Sequence, residues 1–228
     1  MERRAVSIAL LAACVGSVRA QPAAATSLVE AAARGDLAQV RRLLGAGAPI
    51  EQRDGRGRTP VLAATAGNHV EVVRALIARG ADVNAQDSQH DSAFLLAGAE
   101  GYTDIVRATL AAGADLKSTN RYGGTALIPA CHHGHVETVR LLLATPIAVD
   151  HVNNLGWTAL LEAVILGDGG AAHSEIVRML IAHRANVNLA DKDGVTPLAH
   201  ARQRGQGRVV EMLVAAGARW GIEERIGV

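Results

Sequence analysis

Thr59-Pro-Val-Leu-Ala-Ala64 is followed, nine residues after its threonine, by Asn68, and then by Val70-Glu-Val-Val-Arg-Ala-Leu-Ile77 and Gly80-Ala-Asp-Val-Asn84. The same phrase recurs along the chain. Thr125-Ala-Leu-Ile-Pro-Ala130, Thr158-Ala-Leu-Leu-Glu-Ala163 and Thr196-Pro-Leu-Ala-His-Ala201 repeat its opening. Thr26, Thr59, Ser92, Thr125 and Thr158 are spaced by 33 residues, and Thr196 follows after 33 plus an insertion of five. Gly35, Asn68, Gly101, Gly134, Gly167 and Gly205 stand nine residues beyond the openers. A period of this length indicates a stacked array, not a single-core domain.

The chemistry of one unit is legible. Thr or Ser caps a first helix, and Pro60 and Pro197 take its first position, where a missing N–H costs nothing. The Gly or Asn nine residues on ends that helix in the left-handed region. A second helix carries apolar residues at helical spacing. Gly80 and Gly113 end it, and an Asp-containing turn then projects to one side. One such unit cannot bury its apolar face alone, whereas stacked copies share one elongated core.

These phrases resemble the ankyrin repeat. Six units cover about residues 25–222, and an all-α ankyrin-repeat solenoid with projecting β-turn fingers is expected. The outer units look like caps, with Arg41 and Arg42 in the first and Arg202, Gln203 and Arg204 in the last. The resemblance implies a non-enzymatic scaffold that binds a protein partner on its concave face. Asn120–Ala130 and Asn153–Gly170 read like an exported bacterial subgroup, some of whose members are linked to oxidative-stress protection and others to toxin neutralisation. The repeat frame puts Arg121, Tyr122, Leu155 and Trp157 on the fingers of units four and five. It puts His132, His133, Ile165 and Leu166 on the adjoining helix ends. These eight are the expected partner-binding residues, since Tyr, Trp and Arg are enriched in binding hot spots. The competing expectation for Trp157 is packing against the next repeat. The insertion Asp168-Gly-Gly-Ala-Ala172 is expected to be a mobile loop beside this patch.

Composition agrees with a scaffold. Of 228 residues 49% are apolar, enough for a sizeable core, while aromatics make up only 2%, too few for a base-stacking surface. The 23 Lys and Arg nearly balance the 22 Asp and Glu, so no net field attracts nucleic acid. No apolar run after residue 20 is long enough to span a membrane. A monomer without cofactor is expected.

The N-terminus reads as an export address. Met1-Glu-Arg-Arg4 is charged, Ala5 to Val18 carries no charge, and Val18-Arg19-Ala20 presents small residues where a signal peptidase reads. Residues 1–20 are therefore expected to be a signal peptide cut after Ala20, and the mature chain periplasmic. Leu11-Ala12-Ala13-Cys14 offers the alternative of a lipobox, with Cys14 acylated and the protein anchored to the outer membrane. After cleavage at Ala20, Cys131 is the one cysteine left, so no internal disulfide forms.

Cys131-His-His-Gly-His135 invites a metal reading. Gly134 breaks any helix there, neighbouring His132 and His133 are expected to diverge, and no paired Cys-x-x-Cys or His-Glu-x-x-His accompanies them. His135 shares a repeat slot with His69 and His173, which predicts a hydrogen bond to backbone between repeats. Cys131 falls in a slot for a small core residue, with a redox-sensing thiol as its alternative. A metal- or thiol-dependent stress-protection protein and a self-assembling envelope protein remain the alternative functions.

Overall fold

The computed structural model describes residues 26–219. The export signal, its cleavage after Ala20, the alternative at Cys14 and Trp220 lie outside the described residues. Each opener starts a short helix. The first helices of the six units are α1 (Leu28–Ala33), α3 (Pro60–Ala66), α5 (Ala93–Ala99), α7 (Leu127–His132), α9 (Ala159–Ile165) and α11 (Pro197–Gln203). The second helices are α2 (Leu37–Gly45), α4 (Val70–Ile77), α6 (Thr103–Ala111), α8 (Val136–Leu143), α10 (Ala171–Ala182) and α12 (Gly207–Ala215). No strand occurs among the described residues.

The caps follow from the openers, with two departures. Thr59, Ser92, Thr158 and Thr196 accept from the N–H three residues on, at 3.2 to 3.4 Å. In the first unit Ser27, not Thr26, is the cap. Ser27 has a glutamate three residues later, and the two form a reciprocal capping box at 3.1 Å each way. In the fourth unit Thr125 caps nothing. In the five other units the residue four beyond the cap donates its N–H to the cap's carbonyl, but here that residue is Pro129, which has none. The chain begins instead with a tight turn, Ile128 N–H to Thr125 O at 3.2 Å, and the buried Thr125 hydroxyl is left without a partner.

The first helices pack in succession as one layer and the second helices as another. Equivalent residues form columns through the core. Leu28, Val61, Phe94, Leu127, Leu160 and Leu198 are at most 1% exposed. Ala31, Ala64, Ala97, Ala130, Ala163 and Ala201 let adjacent first helices approach closely, and all are buried. Val40, Val73, Val106, Val139 and Val177 form the outer column, each fully buried. Burial at roughly 25 cal/mol per Å² of apolar surface drives the stack, and each unit gains it only from its neighbours.

Polar bonds set the register between units. His69 Nε2 meets Ala33 O at 3.1 Å, His135 Nε2 meets Ala99 O at 3.1 Å, and His173 Nε2 meets His132 O at 2.9 Å. The recurring histidine thus joins its unit to the end of the preceding first helix. In the last unit Gln206 takes its place, donating to Val164 O and Gly167 O. The glycines at the slot are used twice over. Gly35 and Gly101 both have φ +71°, and a Cβ there would lie within 2.6 Å of the His69 or His135 ring. Asn84 Oδ1 and Asn188 Oδ1 accept from the backbone of the following unit. Glu51 does the same in the first unit, where the Asp-Val-Asn phrase is replaced.

The insertion in unit five differs from expectation. Ala171 and Ala172 belong to α10, which is a turn longer than its counterparts α4 and α8. Asp168 accepts from Gly170 N–H and from His173 Nδ1, both at 2.8 Å, and this anchors the segment. Gly169 at φ +68° is left-handed in place of Gly167.

Candidate partner-binding groove

The fingers are shaped by one side chain each. Asp54, Asp87, Asn120, Asn153 and Asp191 each accept two backbone N–H groups of their own turn through Oδ1, at 2.8 to 3.1 Å. This Asx arrangement closes the turn without a helix or sheet. Asn120 thereby lifts Tyr122 to the tip of the fourth finger, and Asn153 lifts Leu155 to the tip of the fifth. Asn154 N–H to Tyr122 O, at 2.9 Å, ties the two fingers together. The Arg121 guanidinium lies over the Tyr122 ring, 4.7 Å from its centre, and donates to Gln89 Oε1 of the third finger.

Facing the fingers are the exposed sides of the first helices. Leu96, Pro129 and Glu162 occupy one repeat slot, and Glu100, His133 and Leu166 another. Between fingers and helices lies a cavity of about 410 Å³. Arg121, Tyr122, His132, His133, Leu155 and Leu166 all line it. Trp157 and Ile165 do not. Trp157 is part-buried at the foot of its finger, where its N–H and carbonyl both bond Asn153. Ile165 is part-buried as well. Tyr122, Leu155 and Leu166 are 52%, 48% and 41% exposed. They are three of the five large apolar residues that stand exposed among the described residues, and they meet at this one groove.

His132 and His133 do not diverge. Their rings stack 4.3 Å apart and 14° from parallel at the end of α7, where His133 is the cap. Among the described residues no group of three or more His, Cys, Asp or Glu side chains is placed to hold a metal ion. Cys131 lies in the core, 0% exposed, and burial raises its thiol well above the ordinary range, so a thiolate is disfavoured.

Glu162 occupies the inner-helix slot that Glu30 fills in the first unit, a slot the repeat frame turns toward the groove, and its carboxyl is strongly perturbed there. It is 6% exposed, and Asn153 Nδ2 donates to its Oε1 at 2.9 Å. His132 Nδ1 stands 3.6 Å from its Oε2. Burial pushes the carboxyl up to about 7, against the opposing effect of the Asn153 amide. Burial first, then the neighbouring His133 and His173, lowers His132. Asp91, also on the groove wall, is raised by burial and by Asp87. The signal that could have found Glu162 is its spacing from Asn153. Nine residues separate them, as nine separate Asp191 from His200, and that pair also bonds, at 2.7 Å.

Paired helices stacked in two layers, with a turn finger leading into each successive unit, define an ankyrin-type solenoid with a groove between fingers and first helices. The chain belongs to the ankyrin repeat family. The family model described as ankyrin repeats (3 copies) matches residues 28–120 and 94–191, and ankyrin repeats (many copies) matches 171–214. An ankyrin repeat domain from Acinetobacter baumannii AYE is 54% identical, with a TM-score of 0.82 over 84% of this chain and 98% of that one. The ankyrin repeat protein EF0377 is 39% identical, with a TM-score of 0.80 over 82% and 96% of the two chains. The ankyrin repeat protein YahD of Escherichia coli K12 is 47% identical over 57 residues, which is 25% of this chain and 28% of that protein. The chain thus spans little more than a quarter of that curated relative. Ankyrin repeats generally mediate protein–protein interaction, and proteins built from them are generally non-enzymatic scaffolds. No helix among the described residues is long and apolar enough to cross a membrane.

Proposed function

We propose that this chain is a non-enzymatic scaffold of the bacterial periplasm that holds a protein partner on its concave face, anchored at the groove of repeats three to five. The observation that carries the reading is the meeting of Tyr122, Leu155 and Leu166 at one cavity, when only two other large apolar side chains, Val152 and Val214, stand exposed among the described residues. Exposed apolar anchors rimmed by polar groups are the form of a binding hot spot. The charged N-terminal residues, the uncharged stretch to Val18 and the small residues at Val18 and Ala20 support export.

The test is cross-linking in cells followed by capture from the periplasmic fraction, with wild type compared to a Tyr122→Ala/Leu155→Ala variant. One protein held by wild type and lost by the folded variant is the expected result. Each truncation should cost about 2 kcal/mol or more, roughly thirtyfold in Kd. A partner held equally by both moves the site elsewhere on the array. Absence of the chain from the periplasmic fraction overturns the location.

A further inference from the structure

We propose that the groove receives an arginine side chain of the partner, with Glu162 as the carboxylate that meets the guanidinium. This rests on the scaffold reading and names the chemistry of its anchor. Glu162 is half completed. Oε1 is satisfied by Asn153, but Oε2 has no hydrogen bond among the described residues, and His132 Nδ1 at 3.6 Å is too distant to supply one. That oxygen is not sealed from the cavity, so an incoming donor can complete it. The next repeat shows the completed form. Asp191 and His200 hold the positions of Asn153 and Glu162 there, and they close on each other at 2.7 Å. Repeat five differs in that its open oxygen faces a cavity of about 410 Å³, which admits a guanidinium.

The surroundings favour a cation of that shape. Asp91 and Glu100 line the same cavity, while the Tyr122 ring already carries the Arg121 guanidinium on one face. The one arginine on the wall, Arg121, is turned to Gln89 and to that ring, so it leaves Glu162 free. A planar guanidinium is weakly hydrated and presents several donors in a fixed fork, so it suits a partly buried carboxylate better than a lysine ammonium does.

The test is a titration of the ¹⁵N-labelled protein with N-acetyl-arginine-N-methylamide, followed by NMR, with the neutral citrulline and the lysine analogues as comparators. Saturable shifts of the Asn153 side-chain amide are expected with the arginine probe. Glu162→Gln, which can keep the Asn153 bond, should weaken binding about tenfold. Its dispersed spectrum would show that it folds. Equal binding of the citrulline probe, undiminished binding by Glu162→Gln, or no shift with any probe would overturn the assignment. Equal binding of the lysine probe would overturn the choice of guanidinium. A partner captured equally by wild type and Glu162→Gln, but lost with Tyr122→Ala/Leu155→Ala, overturns this inference and leaves the scaffold reading standing.

Discussion

Glu162 shows how far a single side chain departs from its reading in isolation. In sequence it is a glutamate on a short helix, and most such residues face water. In the fold Asn153 and the α7 wall close over it, and its neutral form gains. The unfolded chain holds this carboxyl near its ordinary value of 4.5, while the fold holds it near 7. The native state therefore loses stability as pH rises through that window, and the penalty is complete above about 7. Glu162→Gln cannot ionise and escapes the penalty. Thermal melts should place the variant above wild type at about pH 8, by on the order of 1–3 kcal/mol, and close to it at about pH 5. The other charged and titratable groups around the groove are His132, His133, Arg121, Asp91 and Glu100, with His200 engaged by Asp191. All are common to both proteins, and His132, 3.6 Å from the Glu162 carboxyl, is the one whose surroundings the substitution changes. Cys131 makes the opposite case, because its slot in the repeat already read as core and it is fully buried. Peptide mapping after iodoacetamide should find Cys131 unmodified until denaturant is added. Labelling under native conditions would show that the core opens there.

At the scale of the element, the repeat phrase carries nearly all the information, and the departures have local causes. The shift of the first cap to Ser27 was legible as Ser followed three residues later by Glu. The weak start of α7 traces to Pro129. Pro129→Ala would restore the missing N–H and let Thr125 cap as its counterparts do. It should stabilise the protein by about 1 kcal/mol. An unchanged or lower denaturation midpoint would show that the proline's restriction of the unfolded chain outweighs the gained bond. The histidine bonds between repeats are testable in the same way. His135→Ala removes the link to Ala99 O and should cost about 1 kcal/mol in urea denaturation. Gly101→Ala should cost more than that, about 2 kcal/mol, since it meets both a left-handed backbone and the His135 ring. The length of α10 was not legible, because Gly169-Gly170 reads as a break and only the Asp168 bonds to Gly170 and His173 show the helix resuming at Ala171.

The whole molecule is a one-dimensional stack in which each inner repeat has two neighbours and each outer repeat one. The outer repeats therefore lack one interface, and hydrogen exchange should be fastest in α1, α2, α11 and α12 and slowest from α5 to α9. Uniform protection along the array would mean that it unfolds only as one unit. This architecture follows from the sequence by itself. Openers at a fixed period, left-handed residues nine further on and apolar positions at helical spacing are local, additive signals, and six copies reinforce one another. The same frame grouped Arg121, Tyr122, His132, His133, Leu155 and Leu166, because a regular stack maps sequence spacing onto space. It could not separate Trp157 and Ile165 from that group, and it turned the Glu162 slot toward the groove without revealing how deeply that carboxyl is buried. Those outcomes depend on how a finger folds over the adjoining helices and how much water is left between them. Burial, the unpaired oxygen of Glu162 and the raised pKa arise from contacts between units, and only the tertiary structure decides them.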